Sequence, residues 1–173
     1  MFAVELAQQP MSPSHMDHWL TDKSSLTLRL KALCRRFEVT LLGEWQQPAQ
    51  QDGVGWCCGD PLWLREVLLC LDGVPWVYAL TEIPLSTLNH TEVDFTALGN
   101  RPLGEVLFSH QQMRAGQLTV NHYDAHSRPA QLAAELGQAP NSPLWGRSRD
   151  FALAGKPLRV NEVFLPVAEQ RLR

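Results

Sequence analysis

No stretch of the 173-residue chain approaches the roughly 20 consecutive apolar residues that a membrane-spanning helix needs, and Glu5 stands where a secretory leader would carry Lys or Arg. The expectation is a cytoplasmic protein with no membrane insertion. A basic excess is also missing: 15 Lys and Arg against 18 Asp and Glu leave a formal charge of -3, so nucleic acid is not an expected partner. Cysteine is scarce, and the four residues at 34, 57, 58 and 70 form no C-x-x-C pair for zinc or thiol exchange, which leaves reduced structural thiols. The chain lacks G-x-G-x-x-G, a P-loop, H-E-x-x-H and G-x-S-x-G. Dinucleotide, nucleoside triphosphate, zinc-protease and α/β-hydrolase chemistries thereby lose their main support. Two histidine pairs remain, His15 with His18 and His122 with His126. The second has helical spacing, but Pro129 and polar neighbours argue against a helix there, so both pairs read as exposed loop histidines and no metal is expected.

What is present is an ordinary folding composition, 45% hydrophobic and 19% charged, in a length suited to one domain. Pro10 and Pro13 predict a loosely held lead-in over residues 1–18, ahead of a domain at 19–166 and a tail at 167–173. Leu26, Leu30, Leu33 and Phe37 recur at helical spacing behind the capping candidates Ser24 and Ser25. Val39 and Leu41 alternate like a strand, and Gln46 to Gly59 reads as a polar loop. Two apolar runs around Asp72-Gly73 predict a tight β-hairpin, and a second hairpin is expected near Ala154 to Lys156. Between them lie a turn at Ser86 to Asn89, a helix start at Thr91 to Asp94, a helix from Pro102, strand-like alternation at Leu118 and Val120, and a helical fragment within 130–137. Antiparallel hairpins with grouped helices point to an α+β fold with a central antiparallel sheet.

Two residues break their strand's pattern. Successive side chains on a strand alternate faces, so Arg65 shares its face with Trp63, Val67, Leu69 and Leu71, and Glu162 shares its face with Leu158, Val160 and Phe164. A lone charge aimed at an apolar surface needs a partner or a polar cavity. Two readings follow: a structural role, with Arg65 paired to Glu162 or to another charge or simply placed at the strand's open end, or an enclosed pocket. In the pocket Arg65 would take a ligand carboxylate and Glu162 would accept from a ligand hydroxyl.

The segments WLREVLLCLDGVPW (63–76), IPLSTL (83–88), LGNRPLGEVLF (98–108) and LWGRSRDFALAGKPLRVNEVFLP (144–166) follow one another as they do in the chorismate pyruvate-lyase family, which the chain resembles from Trp19 to Pro166. The resemblance implies an internal product site closed by helical flaps and no metal or organic cofactor, and the chain is expected to act as a monomer. It also implies a lyase reaction in which chorismate loses pyruvate to give 4-hydroxybenzoate for ubiquinone biosynthesis. The family's carboxylate-binding Arg falls on Arg65, its hydroxyl-binding Glu on Glu162, and its two flap contacts on Leu103 and Leu26.

Where the family carries an Arg shortly before the I-P segment, this chain has Leu80, which implies a missing positive charge if that Arg serves the enolpyruvyl carboxylate. Arg147 and Arg149 are candidates to replace it, although as alternating strand residues beside Trp145 they read as a solvated face. Around His122 to Ser142 the chain is longer than the family pattern, and this polar insertion is expected to be a surface excursion. The rival reading is a non-catalytic sensor of small aromatic acids, because the fold is similar to the effector-binding domain of bacterial transcription regulators. The absence of a helix-turn-helix before the first helix weighs against it.

Overall fold

Two tight turns organise the chain. Asp72 and Gly73 sit at φ 50° and 82°, and Ala154 and Gly155 at φ 51° and 77°, the pair of left-handed conformations that a two-residue hairpin turn demands. The computed structural model describes residues 11–173. The first turn joins β2 (Pro61–Leu71) to β3 (Val74–Pro84), and the second joins β5 (Leu144–Leu153) to β6 (Lys156–Phe164). With β1 (Phe37–Pro48) and β4 (Met113–Tyr123) at the edges, the six strands form one sheet in the order β1-β2-β3-β6-β5-β4. Every neighbouring pair is antiparallel, as the α+β expectation requires.

Both faces of the sheet are covered. On one, α1 (Ser14–Thr21), α2 (Leu26–Lys31), α3 (Leu85–Leu88), a single 3-10 turn (Phe95–Ala97) and α4 (Leu103–Ser109) bury two apolar clusters, one around Leu26, Val67 and Phe164, the other around Trp63, Leu103 and Phe151. The other face carries α5 (Arg128–Glu135) and the segment after β1. The chain closes with α6 (Pro166–Arg171).

Several expectations are corrected. Residues 1–10 of the expected lead-in lie outside the described residues, but 14–21 form α1, with Met16 and Leu20 fully buried one turn apart. Pro13 immediately precedes this helix, where a missing N–H costs nothing, so it starts the element and does not interrupt it. The expected tail holds α6, anchored by buried Ala168 and by the Val167 N–H donating to Gln138 at 3.1 Å. The first amphipathic pattern stops at Lys31, and Phe37 opens β1. The Asp72 carboxylate accepts from the backbone N–H groups of Arg35 (3.1 Å) and Arg36 (2.8 Å), which turns the chain out of the helix. Ser86 lies within α3 and not in a turn, while Asp94 caps the 3-10 turn by accepting from Thr96. The insertion at 122–142 is no surface excursion: α5 within it buries Ala130, Leu132 and Ala133 against Leu68 and Tyr78. His122 lies within β4 and His126 in the turn that follows it, so they share no helix.

Candidate active site

On the flap side of the sheet, the two apolar clusters part around a group of charges. Cross-strand register explains the grouping. Arg65 on β2 pairs with Thr81 on β3, Thr81 with Val160 on β6, and Val160 with Arg149 on β5. On the adjacent rung Val67, Ala79, Glu162 and Arg147 follow in the same order. Both rungs turn their side chains toward α2 and α4.

Arg65 is 1% exposed. Its Nη2 donates to the carbonyls of Gly99 (2.7 Å) and Arg101 (3.2 Å), which fixes the guanidinium beneath the segment leading into α4. Its Nε lies 3.6 Å from the Glu44 carboxylate, too far for a hydrogen bond, and has no acceptor among the described residues. Burial pushes the Arg65 pKa down, with Glu44 opposing. Glu162 does not pair with Arg65. Its Oε2 accepts from Arg147 Nε at 2.8 Å, so the direct Arg65–Glu162 ion pair is excluded, whereas the pairing of Arg65 with another charge is met by Glu44.

Arg147 and Arg149 are not a solvated face; they are 3% and 9% exposed. They share strand parity with Phe151 and Leu153, both buried, and so point inward for the same reason as Arg65. Arg147 Nη1 donates to the carbonyls of Trp19 (3.1 Å) and Asp22 (2.7 Å), and Arg149 Nη1 donates to that of Lys23. Both therefore hold the segment that leads into α2.

Two small cavities, each about 30 Å³, lie under the helices. One is lined by Arg65, Thr81, Leu103 and Glu162, the other by Leu26, Phe108, Arg147, Arg149 and Glu162, and they share Thr27, Gly104, Val160 and Glu162. Helices α2 and α4 meet over this junction. A Cβ on Gly104 would come within 3.2 Å of Thr27 Oγ1, so the missing side chain allows the close approach, and an ion pair between Lys31 and Glu105 bridges the helices outside. Of the four residues singled out in the sequence, Arg65, Leu103 and Glu162 share the first cavity, while Leu26 lines the second. Leu80 pairs with Glu66 and packs on the opposite face, so the charge it lacks is not one aimed at these cavities. A larger, open cleft of about 590 Å³ also lies on that opposite face. Within its polar lining Asn121, Ser148, Asn161 and Glu82 form one hydrogen-bonded chain, Arg159 is paired to Asp150, and Tyr78 and Arg128 are bound to Glu66.

The profile of the chorismate lyase family matches residues 5–171. The chain belongs to the chorismate lyase family. Membership makes it an enzyme of the lyase class. Its curated relatives include probable chorismate pyruvate-lyases from Shewanella sp. (strain W3-18-1), 46% identical over 94% of this chain and 86% of that one, and from Shewanella frigidimarina (strain NCIMB 400), 43% identical over 90% and 83%. The fold reaches beyond chorismate lyases. The effector domain of PhnF from Mycobacterium smegmatis aligns with a TM-score of 0.53 at 19% identity, covering 80% of this chain and 86% of that chain. Among the described residues no helix is long and apolar enough to cross a membrane, and no three His, Cys, Asp or Glu side chains cluster as metal ligands.

Proposed function

We propose that this member of the chorismate lyase family eliminates pyruvate from chorismate to give 4-hydroxybenzoate, as a cytoplasmic monomer supplying the aromatic precursor of ubiquinone. The observation that carries the reading is Arg65: a guanidinium 1% exposed, anchored through one nitrogen and left with an Nε–H that has no hydrogen-bond acceptor among the described residues, at a small cavity that it shares with Glu162. An apolar-walled site with a buried, planar cation suits a small aromatic acid. Arg65 takes the ring carboxylate and Glu162 accepts from the ring hydroxyl. Leu103 on α4 and Leu26 on α2 exclude water as the flaps close. Each cavity has room for little more than one water, so α2 and α4 must part to admit the substrate.

In the reaction the ether bond between the ring and the enolpyruvyl oxygen breaks, and its electron pair leaves with that oxygen. The ring carbon bearing the hydroxyl releases its hydrogen as a proton, the ring becomes aromatic, and the enolate takes up a proton to become pyruvate. No net oxidation occurs, and the proposal calls on no cofactor. Aromatisation drives the step, so the protein's part is positioning and the stabilisation of charge at the departing oxygen.

The test is incubation with chorismate, with 4-hydroxybenzoate and pyruvate followed by chromatography. Equal amounts of both are expected. Tight 4-hydroxybenzoate binding without turnover overturns the lyase reading in favour of a sensor. Arg65→Ala is expected to weaken 4-hydroxybenzoate binding about 10- to 100-fold, the loss of a charge-assisted hydrogen bond. An unchanged affinity overturns the role given to Arg65.

A further inference from the structure

Chorismate is a dianion, and Arg65 accounts for one of its two carboxylates. Resting on the lyase reading above, we propose that Arg149 binds the other, the carboxylate of the enolpyruvyl group, in the second of the two cavities.

The first ground is an unspent donor. Arg149 is nine-tenths buried, and its Nε has no acceptor among the described residues although it lines a cavity. The nearby rings of Phe108 and Phe151, 5.9 and 5.5 Å from the guanidinium carbon, offer the cation a favourable surface, but neither provides an oxygen to accept the N–H. The second ground is charge balance. Arg147 and Arg149 stand together beside Glu162, whose carboxylate is already engaged by Arg147 at 2.8 Å. Burial and the repulsion of Arg147 push the Arg149 pKa down and outweigh the opposing pull of Glu162 and Asp22, so an anion arriving here meets a cation that its neighbours do not fully balance.

Geometry supplies the third ground. Arg65, Thr81, Val160 and Arg149 are successive cross-strand partners, which sets the two arginine backbones three strand spacings, about 14 Å, apart. Their long side chains close on the space between, where Glu162 belongs to both cavities. In chorismate the enolpyruvyl ether is on the ring carbon next to the one bearing the hydroxyl. With the ring carboxylate at Arg65 and the hydroxyl at Glu162, that side chain is directed past Glu162 into the cavity of Arg149.

The product separates this role from a purely structural one, because 4-hydroxybenzoate has lost the enolpyruvyl carboxylate. The experiment measures kcat and KM for chorismate, and Kd for 4-hydroxybenzoate by calorimetry, in wild type, Arg149→Met and Arg149→Lys. Arg149→Met is expected to lower kcat/KM about 10- to 100-fold while Kd for 4-hydroxybenzoate moves less than about twofold, and Arg149→Lys is expected to recover part of the loss. Equal losses in both quantities would mean that Arg149 only straps the flap, which overturns the proposal, as does an unchanged kcat/KM. If Arg149→Met does not fold, Arg149→Lys carries the same comparison, because a point charge replaces the planar fork. If wild type fails to turn over chorismate, the lyase reading falls separately. The affinities for chorismate and 4-hydroxybenzoate in wild type and variant then still report whether Arg149 discriminates the dianion, and no discrimination overturns the proposal.

Discussion

Replacing Arg147 by Met should loosen the site from beneath while leaving the first cavity's arginine in place. Three contacts go at once: the 2.8 Å pair with Glu162 and the hydrogen bonds to the carbonyls of Trp19 and Asp22. Removing one partner of a buried ion pair costs about 3–5 kcal/mol because the other charge is stranded. The Glu162 side chain is 17% exposed and regains some water, which places the expected loss at the lower end, about 3 kcal/mol. For a domain of this size that corresponds to a fall in Tm of about 6–12 °C. Urea unfolding of Arg147→Met, Glu162→Gln and the double variant closes a thermodynamic cycle. The double variant should be more stable than the two single losses added together would allow, by about 0.5–3 kcal/mol, since it no longer strands a carboxylate. A loss below about 1 kcal/mol for Arg147→Met, or strict additivity in the cycle, would refute the view that Arg147 holds Glu162 in place.

Gly146 presses directly on the backbone of β6 at the same point: a Cβ there would lie 2.5 Å from the Glu162 carbonyl oxygen and 3.0 Å from the Val163 Cα. Gly146→Ala should therefore push β5 off β6, cost about 1–3 kcal/mol and weaken 4-hydroxybenzoate binding, and an unchanged thermal midpoint would contradict the close packing. On the opposite face, Glu66 accepts from Tyr78 Oη at 2.7 Å and from Arg128 Nη2 at 2.9 Å. Burial works to raise its pKa, but these hydrogen bonds prevail and hold the carboxyl below its ordinary value of 4.5. A depressed folded-state pKa contributes stability that is complete above the unfolded value and is lost as pH falls through the folded one. Urea midpoints measured from pH 6 down to pH 3 should thus fall more steeply for wild type than for Glu66→Gln, and parallel curves would refute the linkage.

How much was legible differs from element to element. Both hairpins could be read because Asp72-Gly73 and Ala154-Gly155 lie in a left-handed conformation that two adjacent residues supply without help from the rest of the chain. The inward aim of Arg65 and Glu162 followed from the two-residue strand period. The same rule applied to Arg147, Arg149, Phe151 and Leu153 reveals a second inward pair, but the polar run W-G-R-S-R disguised it as a surface. Helix α1 was missed because two prolines suggested disruption, whereas Met16 and Leu20 find their core only against residues far along the chain, Val67 and Phe164 among them. For α5 the polar composition was read correctly, but the burial of Ala130, Leu132 and Ala133 depends on the sheet face that they meet.

The amino-acid sequence by itself determined where the strands turn, which residues point to the same face, and the family to which the chain belongs. Those are properties of short segments, governed by local backbone conformation and by alternation. Which charges meet was decided only by the tertiary structure. The sheet order interposes β3 between β2 and β6, so Arg65 lies two strands from Glu162 and pairs weakly with Glu44, while β5, adjacent to β6, brings Arg147 onto Glu162. Partner choice across a sheet depends on strand order and register, and neither is encoded in the spacing of residues along any one strand.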